Sequence, residues 1–261
     1  METVEMNGAR WPIPENEPVL SYAPGTPERA AVKAELARQQ ATPREIPVVV
    51  GGREVRTGNL APCVIPHDHA RKLGDYHAAG RAEAEAAIDA AMAARPAWAA
   101  LPFEERAAIF HRAAELLSGP WRAVLNAATM LCQSKTIYQA EIDAACELAD
   151  FFRFNVHFAA TLADVQPCSP RGTRNRTELR PLDGFVFAVT PFNFTSIAGN
   201  LPTAPALLGN TVVWKPSSTA VYSGYAVLEL LRAAGLPDGV INFLPGPASA
   251  VAEPVLLHPL L

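Results

Sequence analysis

Phe185-Val-Phe-Ala-Val189, then Thr190-Pro-Phe-Asn-Phe194, and twenty-one residues after Phe194 the run Lys215-Pro-Ser-Ser218, preceded by Thr211-Val-Val-Trp214, is the stretch that decides the fold. Two apolar, β-branched runs of four or five residues read as buried strands. The first ends in a turn carrying an amide side chain, the second in a lysine. An open α/β sheet presents ligand groups at the carboxyl ends of its strands. An amide and a lysine at successive strand ends therefore point to a site for an anionic cofactor and a carbonyl substrate.

Working outward, residues 184–261 alternate strand and helix: 185–189, about 196–208, 211–214, about 218–234 and 240–244, with a further helix at 248–257. Gly235, Pro237 and Gly239 punctuate the last αβ turn. This alternation predicts parallel βαβ units and an α/β class. A further strand is expected to follow, which would leave an open edge beside 240–244. The apolar tail Val255-Leu-Leu257 and Leu260-Leu261 would be uncovered there.

Upstream, residues 1–26 read as a surface-wrapping segment. A helix opens with Thr26 as N-cap and Pro27 in its first turn, and stops before Pro43. Residues 46–57 read as a hairpin turning at Gly51-Gly52. Residues 58–79 read as loop and short strand. Helices are predicted over 81–94 (stopped by Pro96), 103–117, 121–130 and 138–162. The last carries an apolar stripe of Ile142, Ala145, Cys146, Ala149, Phe152 and Val156. Residues 166–180, with four arginines, read as an extended arm with a strand at 177–180. The organisation expected is thus 1–165 as the N-terminal arm, hairpin and helices, 166–183 as the arm, and 184–261 as the first βα units.

Composition narrows the function. Hydrophobic residues make up 49% and charged residues 18%, enough for a large core and against wholesale disorder. The formal net charge of −4 disfavours a nucleic-acid partner. No run approaches the roughly 20 apolar residues of a membrane span. The first residues lack a secretory or Arg-rich targeting pattern, and the four cysteines form no C-x-x-C pair. A reduced cytoplasmic setting is the expectation.

Each candidate residue has two readings. On spacing alone Asn193 is a turn residue capping the next helix, and otherwise an oxyanion donor. Lys215 is either a solvated lysine or a compact cation for a ribose or phosphate. Ser217 and Ser218 can cap the following helix or face an anion. Glu147 reads as a surface helical glutamate, or as a carboxylate of a substrate pocket. Cys132 and Cys146 read as buried small hydrophobes. His67-Asp68-His69 lacks a third ligand of suitable spacing, so no metal site is expected. A G-x-G-x-x-G fingerprint is absent.

Taken together, Thr190-Pro-Phe-Asn-Phe-Thr-Ser196, Gly199-Asn-Leu201, Gly209-Asn210, Val213-Trp-Lys-Pro-Ser217 and Ala234-Gly-Leu-Pro237 resemble the aldehyde dehydrogenase superfamily. Gln139-Ala-Glu-Ile-Asp-Ala-Ala145 and Asp150-Phe-Phe-Arg-Phe-Asn155 are similar to its glutamate-γ-semialdehyde branch. The resemblance covers nearly the whole chain. It implies a helical layer followed by the start of a parallel Rossmann-like sheet that binds NAD. It implies that Asn193 stabilises the transition state and that Thr190, Lys215 and Ser218 neighbour the cofactor. Glu147 and Phe194 would neighbour the aldehyde. Ser218 departs from the glutamate that many relatives outside this branch carry, which bears on NAD against NADP. The resemblance further implies an incomplete chain, roughly an N-terminal half that lacks the nucleophilic cysteine and is inactive alone, and a homo-oligomer when complete. The competing expectations are a non-catalytic nucleotide-binding remnant and an enzyme for another aldehyde.

Overall fold

The computed structural model describes residues 3–6 and 9–261. Of the expected surface-wrapping segment, residues 1, 2, 7 and 8 lie outside the described residues. Strands β1 (Thr3–Met6) and β2 (Ala9–Pro12) pair as an antiparallel hairpin lying against a later helix. Beyond it the chain runs over the helices and is tied to them by Asn16 and Glu17.

Helix α1 (Pro27–Ala41) starts at the proline, whose fixed φ suits a first turn. Thr26 does not cap it: its Oγ1 donates back to Ala23 O at 2.9 Å. The single strand expected at 46–50 is split by Pro47, which cannot donate to a ladder. β3 (Arg44–Ile46) joins one sheet, and β4 (Val48–Val50) with β5 (Arg53–Val55) joins another. Gly51 (φ +56) and Gly52 (φ +76) make the tight hairpin turn. β6 (Leu60–Ile65) and β7 (Asp68–His77) form a long hairpin where loop and short strand were expected. Register shifts at Cys63–Ile65 break the alternation that would have announced it.

Helix α2 (Arg81–Ala100) runs through Pro96 instead of stopping before it. An internal proline costs about 3 kcal/mol. Trp98 offsets this: it is buried, and its Nε1 donates to Ala206 O at 2.8 Å. Helices α3 (Phe103–Ser118) and α4 (Arg122–Gln133) follow as expected. The long helix is α5 (Ile137–Ala140), a π-helical turn at Glu141–Glu147, and α6 (Leu148–Asp164). Thr136 and Gln139 open it with a reciprocal cap. The wide turn shifts the phase of the predicted stripe. Ile142 is turned to solvent, while Ala145, Cys146, Ala149, Phe152 and Val156 are buried.

Residues 165–185 form no regular element, so the strand expected at 177–180 is absent. The arm folds back on itself instead. Thr177 N donates to Gln166 Oε1 (2.9 Å) and Asn175 N to Ser169 Oγ (2.9 Å). Arg95 Nε grips its base at Leu182 O, 2.9 Å.

The remainder follows the predicted alternation: β8 (Val186–Val189), α7 (Thr195–Leu207), β9 (Val212–Lys215), α8 (Val221–Ala233), β10 (Ile241–Phe243) and α9 (Ala248–Leu256). β8, β9 and β10 are parallel. Among the described residues the sheet runs β5-β4-β10-β9-β8. The open edge expected beside 240–244 is therefore filled, because β4 pairs antiparallel with β10 through Val49 and Phe243. Gly51 N reinforces this by donating to the buried Asn242 Oδ1 at 2.8 Å. The outer strand on the other side is β8. Side chains alternate between two cores: Val212 and Trp214 enter the one shared with α3, α4, α6, α7 and α8, while Val213 enters the one beneath α2 and α9.

Candidate functional site

The register pairs Val189 with Lys215, so β8 and β9 end level at the carboxyl edge of the sheet. Asn193 and Lys215 thus lie at the same edge of adjacent parallel strands, as the alternation predicted. Just past β8, Thr190 is buried. Its N–H donates to Lys215 O at 3.1 Å and its Oγ1 accepts from Trp214 Nε1 at 3.0 Å. This crosslink fixes where the chain leaves the sheet.

The turn Pro191–Phe194 then projects outward. Phe192 is 64% exposed, and Asn193 is exposed too. The capping role that spacing favoured for Asn193 is not what the structure shows. The N-cap position of α7 is Phe194, and no side chain at that position caps the helix. The orphan amides are taken by Asp143 of the π-helical turn: Thr195 N donates to Oδ2 at 3.0 Å and Ser196 N to Oδ1 at 2.9 Å. The Asn193 amide makes no hydrogen bond among the described residues and is free to donate outward.

Lys215 is 6% exposed. Its Nζ donates to Pro216 O at 3.1 Å, and no carboxylate pairs with it among the described residues. Burial pushes its pKa below the ordinary lysine value. A buried cation without a counter-charge fits an oxygen-rich ligand such as a ribose. Ser218 is exposed in the loop after β9, and its Oγ lies 3.5 Å from Gly246 O of the loop after β10. Neither Ser217 nor Ser218 caps α8. Ala220 N donates to Ser217 O (2.9 Å), and this turn holds both serines away from the helix, which begins at Val221.

Glu147 is half-buried rather than on a free surface, and it accepts from Ser196 Oγ at 2.7 Å. It therefore stands by the first turn of α7, on the Asn193 side of the site and away from Lys215. Phe194 packs under Lys135, whose Nζ lies 4.2 Å from the ring centroid. Lys135 Nζ also donates to Asp143 Oδ2 at 2.6 Å. Gln133 Nε2 and Thr129 Oγ1 both meet Thr195 Oγ1, at 2.9 and 2.8 Å. Sequence reasoning missed Asp143, Lys135 and Ser196. Lys135 and Asp143 are near neighbours in sequence, but the contacts that tie them and Ser196 together across the site link residues far apart along the chain, and no local spacing announces them.

Cys63, Cys132 and Cys146 are buried. Desolvation raises each thiol's pKa, that of Cys146 to about 12. Cys168 is exposed on the arm. Burial thus keeps Cys63, Cys132 and Cys146 in the thiol form. The described residues hold no metal-binding cluster, and no described helix is long and apolar enough to cross a membrane.

The fold and the edge site define an open α/β protein with a helical layer buttressing the turn at the carboxyl edge of its sheet. The model of the aldehyde dehydrogenase family matches residues 53–261, and the chain belongs to that family. A delta-1-pyrroline-5-carboxylate dehydrogenase of Agaricus bisporus is 52% identical over 253 residues, covering 96% of this chain and 46% of that protein. The mitochondrial delta-1-pyrroline-5-carboxylate dehydrogenase of Mus musculus is 48% identical, covering 92% and 43%. The crystal structure of the delta-pyrroline-5-carboxylate dehydrogenase from Mycobacterium tuberculosis bound with NAD superposes with a TM-score of 0.96 at 56% identity, over 98% of this chain and 48% of that one. The chain thus spans about half the length of the relatives it matches.

Proposed function

We propose that this chain supplies the NAD-binding sheet and the oxyanion-stabilising side chain of an enzyme that oxidises L-glutamate γ-semialdehyde, the open form of 1-pyrroline-5-carboxylate, to glutamate in proline degradation. One observation carries this reading. A free amide, Asn193, in the turn after β8, and a buried lysine without a counter-charge, Lys215, at the end of β9, stand at the same carboxyl edge of adjacent parallel strands. The names of the relatives and the NAD-bound Mycobacterium tuberculosis structure support the choice of substrate and cofactor.

NAD, when bound, would accept the hydride of the oxidation. Lys215 would hold it through ribose oxygens, with Thr190 fixing the strand end and Ser218 flanking it. Asn193 would donate its side-chain N–H to the aldehyde oxygen as charge develops there. Glu147 and Phe194 would bound the aldehyde side. Cys63, Cys132 and Cys146 are buried with raised thiol pKa values and Cys168 stands on the exposed arm, so residues 1–261 would bind cofactor without turning substrate over. The exposed, basic arm at 166–183 is the surface assigned to self-association. Light scattering of the purified chain, with and without the arm shortened, tests this.

Calorimetric titration with NAD tests the central reading. Binding is expected, with Lys215→Ala weakening it about tenfold, the size of one lost charged contact. A parental chain that fails to bind NAD at millimolar concentration would overturn it. Absorbance from NADH with 1-pyrroline-5-carboxylate as substrate should stay at background.

A further inference from the structure

The turn carrying Asn193 is held at both ends. On the strand side, Thr190 is fixed to Lys215 and Trp214. On the helix side the contacts come from the helical layer. Asp143 takes both leading amides of α7 with its two carboxylate oxygens. It is 2% exposed, and Lys135 supplies its counter-charge at 2.6 Å. The same ammonium lies over the Phe194 ring, one residue after Asn193. Lys135 follows Ser134, which sits in the left-handed region at φ +55, a costly place for a residue with a Cβ. His67 Nδ1 holds the Ser134 hydroxyl at 2.8 Å. Thr129 and Gln133 fix the Thr195 hydroxyl, and Glu147 fixes that of Ser196. A strained loop, a buried carboxylate and a cation thus converge on one short turn. A helix cap alone would need only the carboxylate.

We propose that Asp143 and Lys135 are positioning residues, which lock the Pro191–Phe194 turn so that the Asn193 amide faces the substrate oxygen. This deepens the proposed function and rests on it. Asp143 acts through the α7 amides, and Lys135 through both Asp143 and the Phe194 ring. Withdrawing either should loosen the turn while leaving the Lys215 end of the site in place.

Amide hydrogen exchange and nitrogen-15 NMR on the 261-residue chain test this. Asp143→Asn keeps the side chain's size but removes its charge and one acceptor. Exchange at Thr195 and Ser196 should accelerate at least about tenfold, the scale of a lost cap. The side-chain NH2 signals of Asn193 should shift or broaden, a signature that simple loss of stability would not confine to this turn. Amides of Val212–Lys215 should be unchanged, and NAD affinity should match the parent's. Asp143→Glu should recover part of the protection. Lys135→Met keeps an apolar stem over Phe194 but loses the charge, and should loosen the same amides at least about threefold, because the buried Asp143 carboxylate loses its counter-charge. Unchanged Thr195 and Ser196 amides in Asp143→Asn, or acceleration spread equally to β9, would overturn the proposal. Should Asp143→Asn fail to fold, Lys135→Met decides by the same criterion. A parental chain that binds no NAD would sink the proposed function, yet the exchange data would still decide the positioning roles.

Discussion

Glu141 and Asp143 stand two residues apart on one π-helical turn, both buried, and they serve different ends. Glu141 accepts from Leu20 N, Tyr22 Oη, Asn126 Nδ2 and Arg122. Arg122 continues to Glu17, and Glu17 to Arg153 at 2.6 Å. Every partner belongs to the helical layer or to the segment wrapped over it. The partners of Asp143 straddle the boundary between that layer and the edge of the sheet. A buried carboxylate inside one layer stabilises the fold, whereas one spanning two layers transmits position.

Removing the Glu141 charge should have the largest effect. Glu141→Gln leaves Arg122 buried with half its compensation, and such breaks cost about 3 kcal/mol, which for a chain of this size lowers Tm by roughly 6 °C. Asp143→Ala should cost about 1–2 kcal/mol, since α7 loses a cap and Lys135 can turn to solvent. Thermal unfolding followed by circular dichroism measures both. Equal losses would break the comparison.

Acid should sharpen it. Burial alone would raise the Glu141 pKa, but the Arg122 guanidinium and the donors at Leu20, Tyr22 and Asn126 outweigh burial and hold it below the usual 4.5. Glu17 is lowered in the same way: burial opposes, while Arg153, Ser118 and Arg122 prevail. Carboxylates with depressed folded values contribute full stability above the ordinary carboxylate range and lose it as pH falls through the depressed values. The parental Tm should thus be level above about pH 5 and drop steeply below 4.5. The drop should be shallower in Glu141→Gln. Parallel pH profiles for the two chains would show that this network does not govern acid unfolding.

At the sheet edge the sign reverses. Lys215 is buried without a counter-charge, the only hydrogen bond of its Nζ among the described residues running to Pro216 O, so Lys215→Met should raise stability by about 1 kcal/mol while weakening NAD binding. A destabilised Lys215→Met chain would mean that the lysine serves the fold, as Glu141 does. The smallest effect is expected at Ser134→Gly. It relieves a left-handed φ but gives up the His67 contact, for a net gain of about 0.5 kcal/mol by chemical denaturation.

Legibility in the sequence followed the range of the interactions. The strands at 185–189, 211–214 and 240–244 were readable because β-branched runs are bounded by glycine and proline within a few residues. The placement of Asn193 and Lys215 at one edge of the sheet followed from that alternation. The β6–β7 hairpin was hidden by its irregular register, and the persistence of α2 through Pro96 by a tryptophan contact with Ala206, far along the chain. The π-helical turn obeys neither the strand nor the α-helical period. Asp143 was invisible for a related reason: its amide partners lie 52 and 53 residues away. Local pattern announces elements, but it does not announce which buried carboxylate reaches across to another layer.

The closure of the sheet by the β4–β5 hairpin has a consequence in time. Gly51 and its acceptor Asn242 are 191 residues apart. At a synthesis rate of about 5–20 residues per second, the hairpin waits roughly 10–40 s for its partner strand to be made. During that interval its apolar Val48-Val49-Val50 face has no sheet to join. The helices between, α2 to α6, are made first. A nascent chain thus carries a finished helical layer and an orphan hairpin before the parallel strands arrive, and the hairpin is the segment on which a chaperone would act.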